Sequence, residues 1–136
     1  MRKLDFATIV KKLDEVKFPE VDLVVGVEEG GKVPAALVAY KLRKGLVLAG
    51  INYRDENNAP RYDQPRRLKP FRLPPGVRKV LLVDDVAVTG QTLTTARAML
   101  QPCKVVTFVL KGQADLVLFP EIKDCVNWPW KLLRRE

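Results

Sequence analysis

The segment that most constrains this chain runs from Val80 to Leu93, with the sequence VLLVDDVAVTGQTL. Its first four residues are apolar, and a continuous Val/Leu run is typical of a parallel strand that is buried on both faces. Asp84 and Asp85 follow directly. We therefore expect two adjacent carboxylates at the carboxyl end of a central strand, which is where open α/β sheets bind their ligands.

The two acids are followed by a turn that contains hydroxyl groups and a glycine and leads into a predicted helix over 91–101. Thr89, Gly90 and Thr92 would open this helix, whose free N–H groups and positive dipole end form an anion site. The two acids, which can bind a diol or a cation, would then lie beside a phosphate-binding helix end. This arrangement suits a sugar phosphate as the ligand. In the alternative interpretation the acids and Thr92 only cap a helix, but a cap requires one acid rather than two.

The remaining sequence alternates predicted strands and helices. An Asp5-capped helix with Phe6, Ile9, Val10 and Leu13 on one face comes first, followed by a strand over Val21–Val27, a helix from Pro34 to about Arg43, a strand over Leu46–Ile51, a possible antiparallel strand over Leu68–Leu73, and a strand over Val105–Leu110. This alternation predicts an α/β fold with a doubly wound, mainly parallel twisted sheet and flanking helices. We expect a single domain over residues 1–136.

Composition and charge restrict the classes of function. The chain contains no His, so any proton transfer must use carboxylates, water or the substrate itself. Cys103 and Cys125 match no metal-binding pattern. No apolar run is long enough to span a bilayer, and the N-terminal residues do not form a signal peptide, so we expect a cytoplasmic protein. The net charge of +8, concentrated in residues 61–79 and near the C-terminus, suits a diphosphate substrate or an RNA surface.

The segment 80–93 resembles the 5-phosphoribosyl-1-diphosphate (PRPP) signature of the type I phosphoribosyltransferases. That signature consists of apolar residues, two acids, two or three small or apolar residues, Thr-Gly, any residue, and Thr or Ser. The resemblance implies that Asp84 and Asp85 hold the ribose hydroxyls and help to place Mg²⁺. It also implies that the 5-phosphate is bound by the turn formed by Ala87, Val88, Thr89, Gly90, Gln91 and Thr92.

Three further segments resemble working parts of the same family. The segment from Gly26 to Gly31 occupies the place of the diphosphate loop, in which Glu29, Gly30 and Gly31 would contact the ligand, often through a non-proline cis peptide. Its alternative is an ordinary strand-to-helix turn. Residues 53–67 resemble the flexible loop that closes over the reacting centre, and their alternative is an idle surface loop. Residues 111–136 resemble the small base-binding hood.

In that hood the resemblance implies that Lys111 reads the purine, while Val126 or Trp128 stacks on the ring. Alternatively, Trp128 and Trp130 only fix the C-terminal segment to the core. Four residues depart from the family pattern: Glu28 and Glu29 in the diphosphate loop, Val88 where hypoxanthine–guanine enzymes have Asp, and Lys131 where 6-oxopurine enzymes have an acid.

The resemblance predicts a Mg²⁺-dependent enzyme that joins a purine-like base to PRPP and releases pyrophosphate and a nucleoside 5′-monophosphate. It implies a homodimer with PRPP and a nucleobase as partners, and we expect no membrane or nucleic-acid partner. The alternative function is a non-catalytic sensor of PRPP or of a nucleotide that regulates transcription or binds RNA. The basic surplus, Glu28 with Glu29, and Val88 favour that alternative.

Overall fold

The computed structural model describes residues 2–52, 66–67 and 72–131. Within these ranges the chain forms, in order, β1 (Arg2–Lys3), α1 (Phe6–Asp14), β2 (Leu23–Glu28), α2 (Lys32–Leu42), β3 (Gly45–Asn52), β4 (Arg66–Arg67), β5 (Lys79–Ala87), α3 (Gln91–Met99), β6 (Lys104–Gly112), β7 (Leu116–Val117), β8 (Val126–Asn127) and a short 3₁₀ turn (Pro129–Lys131).

Six of these strands form one sheet in the order β4-β3-β2-β5-β6-β7. Every neighbouring pair is parallel except β3 and β4, which are antiparallel. The predicted α/β class and the mainly parallel sheet are therefore confirmed. The two strands that carry the candidate site, β2 and β5, lie next to each other at the centre, in register from Leu23↔Val80 to Gly26↔Val83.

The core lies on both faces of this sheet because successive residues of a strand point to opposite sides. Val24 belongs to an apolar cluster that also contains Ile9 of α1 and Val38 of α2. Val25 belongs to a second cluster, which contains Leu93 of α3. Burial of both faces explains why the central strands are almost continuously apolar, and it fixes the acids of β5 relative to α2 and α3.

The first helix begins at its predicted cap. The Asp5 Oδ1 atom accepts a hydrogen bond from the Thr8 N–H at 2.8 Å, and the hydrogen bonds to Thr8 hold the pKa of Asp5 below its ordinary value. Of the predicted apolar face, Ile9 is buried, whereas Phe6 and Val10 are exposed. The predicted face is therefore wider than the stripe that packs on the sheet, and Phe6 instead contacts Trp130, with their ring centroids 6.0 Å apart.

Several element boundaries differ from the sequence prediction. Strand β5 continues through both acids to Ala87 because β6 pairs with it as far as Ala87↔Gly112. Helix α3 ends at Met99 rather than at residue 101. The antiparallel strand is found at Arg66–Arg67 rather than at 68–73; Arg72 and Leu73 are not in a strand, and residues 68–71 lie outside the described ones.

The predicted flexible loop, residues 53–67, lies almost entirely outside the described residues, which include only its last two positions. The hood is described as far as Lys131. In it, β8 forms a two-stranded parallel sheet with β1, so the two ends of the described chain meet. Among the described helices, none is both long and apolar enough to cross a membrane.

Helix α2 packs on β2 where the strand has a glycine. A Cβ atom built on Gly26 would lie 2.6 Å from the Ala35 Cβ atom and 3.2 Å from the Gly31 carbonyl oxygen. Such distances are far inside van der Waals contact, so a larger residue at this position would push α2 away from the sheet. The glycine therefore sets the distance between α2 and β2.

We expect Gly26→Ala to lower the free energy of unfolding by ~1–3 kcal/mol, the usual cost of overpacking a well-packed core. The matched control is Gly45→Ala in the neighbouring strand, where a Cβ atom would meet a flexible leucine side-chain end at 3.3 Å. Urea denaturation of both variants measures the difference. Equal stabilities of the two variants would contradict this account of the packing.

Candidate functional site

The site is built around the two adjacent acids in the second half of β5. Asp84 is 7% exposed, and the side chain of Asp85 is 13% exposed. The Asp84 Oδ1 atom accepts a hydrogen bond from the Asp85 N–H at 2.8 Å, and the Asp85 Oδ1 atom accepts one from the Val86 N–H at 2.7 Å. Each carboxylate is thus held by the backbone N–H of the next residue.

Burial of this acid pair changes its electrostatics. Removal of the Asp84 carboxyl group from water raises its pKa well above its ordinary value, and the neighbouring Asp85 carboxylate raises it further. The Asp85 backbone N–H and the Lys131 ammonium act in the opposite direction on the same pKa, but their effect is smaller. Ionisation of Asp84 beside Asp85 is therefore disfavoured in the free protein, and a cation or a hydroxyl donor that binds the carboxylates would stabilise the charged form.

The loop after β2, residues 28–31, lies directly against the acid pair. A Cβ atom on Gly30 would lie 2.5 Å from both carboxylate oxygens of Asp85. A Cβ atom on Gly31 would lie 2.5 Å from the Val83 carbonyl oxygen and 3.0 Å from the Asp84 Cα atom. The two glycines therefore allow the loop to touch β5: a Cβ atom at Gly31 would meet the strand's backbone, and one at Gly30 would displace the Asp85 carboxylate.

The two glycines are explained by this close contact and not by their backbone conformation. Neither residue has a positive φ, so the loop does not require glycine for its backbone angles; it requires glycine for the close approach. The Gly31 N–H is also bonded to the Val27 carbonyl at 2.7 Å, so it is not available to a ligand. The Glu28–Glu29 peptide bond is cis, as the resemblance implies for a diphosphate loop.

The two acids of this loop differ in exposure. Glu28 is half-buried, whereas Glu29 is exposed. The Glu29 carbonyl accepts a hydrogen bond from the Lys32 N–H at 3.1 Å, which begins α2.

The 87–92 turn connects the acid pair to α3. Gly90 has φ +82°, a left-handed conformation that favours glycine, and a Cβ atom there would meet open space. The Gly90 carbonyl accepts hydrogen bonds from both the N–H and the hydroxyl of Thr94, at 2.9 Å each. The Thr89 hydroxyl accepts the Gln91 N–H at 3.2 Å, and Gly90 provides no side-chain cap. The amino end of α3 therefore has no side-chain cap at Gly90, and we refer to it as the open end of α3.

Two predicted turn residues are placed in contrasting ways. Ala87 is buried, whereas Val88 is 73% exposed although it is a large aliphatic residue. An exposed valine next to a cleft is apolar surface available to a ligand. Thr92 lies in the first turn of α3 and is half-buried.

A cleft of about 230 Å³ lies beside this turn. It is lined by Val86, Ala87, Val88, Lys111, Gly112, Gln113, Pro120, Ile122 and Lys123. The predicted base reader, Lys111, is therefore in the cleft, next to Val86 in the register of β5 and β6. Lys123 was missed from the sequence, where nothing distinguishes it from other lysines after β7; its ammonium donates to the Pro120 carbonyl at 3.3 Å.

The prediction that Trp128 stacks on a base does not agree with its position. Trp128 is 2% exposed in the apolar core, and its ring stacks on Trp130 with centroids 5.5 Å apart, so it has no free face. The alternative, that the tryptophans fix the C-terminal segment to the core, describes this residue. Val126 is half-buried in β8 and does not line the cleft.

Lys131, at the end of the same segment, reaches the acid pair. Its ammonium lies 3.4 Å from the Asp85 Oδ2 atom. The sequence marked Lys131 as a departure from the family pattern but did not indicate this contact, because the two residues are 46 positions apart. Within the described part of the chain, Lys131 is the cation that forms an ion pair with this acid pair.

The carboxylates of the site fit Mg²⁺ if a bound substrate supplies the remaining oxygen ligands. The described residues contain no group of three or more His, Cys, Asp or Glu that could enclose a metal ion. Mg²⁺ is usually held by one or two carboxylates together with substrate phosphates and water. Asp84 and Asp85 supply that number of carboxylates, next to the open end of α3.

Comparison with known proteins places this arrangement in a family. A family model for the phosphoribosyl transferase domain matches residues 3–120. The chain belongs to this family. The matched range includes the acid pair, the 28–31 loop, the 87–92 turn and the cleft residue Lys111.

Solved structures show the same fold. A purine phosphoribosyltransferase from Pyrococcus horikoshii superimposes with a TM-score of 0.75 at 19% identity, covering 95% of this chain and 92% of that one. A xanthine-guanine-hypoxanthine phosphoribosyltransferase from Helicobacter pylori gives 0.75 at 15% identity, with coverages of 96% and 94%. A hypothetical protein from Neisseria gonorrhoeae with bound ppGpp gives 0.67 at 19% identity, with coverages of 98% and 91%.

We expect Asp84→Asn to make the protein more stable at neutral pH. A raised carboxyl pKa means that the folded state binds the Asp84 proton more tightly than the unfolded state does. This contribution to stability is complete below the unfolded pKa and is lost as the pH rises through the folded one. Asparagine is neutral throughout and keeps an oxygen that can accept the Asp85 N–H.

Thermal unfolding of both proteins across the pH range measures this effect. The stability advantage of Asp84→Asn should be largest at neutral pH and should shrink as the pH falls toward the ordinary aspartate pKa. An advantage that does not depend on pH, or a loss of stability at neutral pH, would show that Asp84 is not the titrating group.

Proposed function

We propose that the chain is a phosphoribosyltransferase that joins a purine-like base to PRPP and releases pyrophosphate and a nucleoside 5′-monophosphate. The observation that carries the proposal is the buried acid pair, against which Gly30 fits with no room for a Cβ atom. This contact joins a diol-binding group to the 28–31 loop, and the open end of α3 follows five residues after Asp85. As parts of the same proposal, residues 1–136 form one domain and the protein acts as a cytoplasmic homodimer.

The residue roles follow from this arrangement. Asp84 and Asp85 would hold the ribose 2′- and 3′-hydroxyls and the bound Mg²⁺, which offsets negative charge on the diphosphate. The 87–92 turn would hold the 5-phosphate through N–H groups of the first turn of α3 and the Thr89 hydroxyl. Glu29 and Gly30 would present backbone N–H groups to the diphosphate, while the Gly31 N–H, which is bonded to Val27, stabilises the loop instead.

The cleft beside Val86 supports the choice of a purine-like base with an oxygen acceptor. Its apolar surfaces come from Val86, Val88 and Ile122, and a flat ring is stabilised by contact with such surfaces. Lys111 and Lys123 line the same cleft and offer donors. The names of the two most similar structures reported above, a purine and a xanthine-guanine-hypoxanthine enzyme, support the same class.

The reaction replaces one bond at the ribose C1 with another. The C1–O bond to the diphosphate breaks, a C1–N bond to the base forms, and the proton of that base nitrogen passes to water. Val88 provides no carboxylate for this proton, and the chain has no histidine. The residues therefore act by holding the base and C1 in line and by stabilising charge, since an oxocarbenium-like state depends on both.

A non-catalytic sensor is the second candidate. The contact between Lys131 and Asp85 favours it, because a side chain of the protein already occupies one of the acids that a catalytic site would use. The similar structure from Neisseria gonorrhoeae was solved with bound ppGpp, which supports a nucleotide as the ligand of such a site.

Incubation with PRPP, Mg²⁺ and a panel of bases, followed by measurement of pyrophosphate and nucleoside monophosphate, distinguishes the two functions. The proposal predicts that both products appear together with at least one purine. Tight binding of PRPP without either product would instead establish a sensor.

We expect Asp85→Asn to lower turnover by ~2–4 kcal/mol of transition-state stabilisation, about 30- to 1000-fold. The exposed acid Asp14, which pairs with Lys41 far from the site, provides the control variant Asp14→Asn. Steady-state kinetics on folded samples of both variants tests the role of Asp85. Equal activities of the two variants would remove Asp85 from the active site.

The double variant Glu28→Gln, Glu29→Gln should change PRPP affinity at saturating Mg²⁺ by less than about tenfold, or ~1.4 kcal/mol. The reason is that Glu29 is exposed and its carbonyl begins α2, so we expect the acids to turn away from the diphosphate. Calorimetric titration with PRPP measures this change. A gain in affinity of a hundredfold would mean that the acids oppose the diphosphate.

A further inference from the structure

The C-terminal segment holds Lys131 in a fixed place. Trp128 is buried in the core, Pro129 is buried beside it, and the Lys131 N–H donates to the Trp128 carbonyl at 3.0 Å. The rings of Trp128 and Trp130 stack, and Trp130 also contacts Phe6 of α1. This packing fixes the backbone of the turn, so the entropy lost when the ion pair forms is mainly the rotamer freedom of the Lys131 side chain.

The Asp85 carboxylate lies between this turn and the 28–31 loop. Its Oδ1 atom is bonded to the Val86 N–H, and its Oδ2 atom lies 3.4 Å from the Lys131 ammonium. Gly30 lies so close to both carboxylate oxygens that a Cβ atom there would be 2.5 Å from each. The orientation of this carboxylate is therefore set by three separate elements: β5, the loop and the C-terminal turn.

The exposed fractions of the two side chains indicate how strongly water screens this ion pair. The side chains of Lys131 and Asp85 are 35% and 13% exposed, whereas those of a surface pair, Lys41 and Asp14, are 28% and 68% exposed. Water screens a charge pair less when the carboxylate is buried. The Lys131 ammonium therefore offsets more of the local negative potential than a lysine at the surface would.

We propose that Lys131 is a positioning residue that orients the Asp85 carboxylate and supplies it with positive charge before a ligand binds. This inference rests on the proposed function, in which Asp85 holds ribose and Mg²⁺. A lysine in this position contributes part of the charge that a divalent cation would otherwise have to supply. It lowers the Mg²⁺ concentration at which the polyanionic PRPP binds, and it competes with a free divalent cation for Asp85.

The first test compares PRPP affinity at low and at saturating Mg²⁺ for wild type, Lys131→Met and Lys131→Arg. Lys131→Met should weaken PRPP binding about tenfold at low Mg²⁺, between the effects of an exposed and of a buried charge pair. The loss should shrink as Mg²⁺ is raised, because the metal replaces the missing charge. Lys131→Arg keeps the charge and should stay within about threefold of wild type.

Lys41→Met is the matched control, because Lys41 pairs with an aspartate at 3.5 Å on the surface of α2. It should leave PRPP affinity and its Mg²⁺ dependence unchanged. Thermal unfolding of every variant confirms that each is folded. If Lys131→Met loses stability but binds PRPP with the wild-type Mg²⁺ dependence, Lys131 has a packing role and the inference is wrong.

The second test uses Mn²⁺ alone, so its result does not depend on PRPP. Lys131→Met should bind Mn²⁺ at least about threefold more tightly than wild type does, and adding Asp85→Asn should abolish the gain. Equal Mn²⁺ affinities of wild type and Lys131→Met would overturn the inference. If wild type binds no PRPP at any Mg²⁺ concentration, the proposed function fails, and the Mn²⁺ comparison still decides the role of Lys131.

Discussion

The packing of two buried carboxylates against a glycine loop is the constraint on which the rest of the site depends. Two acids at the end of a central strand are costly to bury, and the fold offsets that cost only in part, through backbone N–H groups and the Lys131 ammonium. Gly30 keeps the loop within contact distance of Asp85. A site with this imbalance of charge is prepared for a ligand that brings hydroxyl groups and a cation.

Local patterns in the sequence were sufficient for the elements that carry this site. The apolar run with two acids, the Thr-Gly turn and the helix after it were all found in their predicted order, because each depends on residues that are close in the chain. The reason for the glycines could not be predicted in the same way. Gly30 and Gly31 are required by the approach of β2 to β5, which lie more than fifty residues apart in sequence.

The base-binding hood also shows that local sequence patterns do not predict contacts between distant segments. Its Lys111 lines the cleft, where the register of β6 on β5 places it beside Val86. Trp128 has the composition expected of a base-stacking residue, but packing against Trp130 and the core buries it. Lys131 reaches Asp85 because that buried tryptophan fixes the turn. The local sequence pattern indicated the residue types of the hood, and long-range packing decided which of them face the site.

The raised pKa of Asp84 and its response to a ligand are tested most directly by an NMR titration of the aspartate carboxyl carbons. The variant Asp84→Asn assigns the Asp84 resonance. The account predicts that the Asp84 pKa lies well above the ordinary aspartate range in the free protein and falls when PRPP and Mg²⁺ bind, because the ligand stabilises the charged form. An Asp84 carboxyl group that titrates in the ordinary range, with no response to PRPP and Mg²⁺, would contradict it.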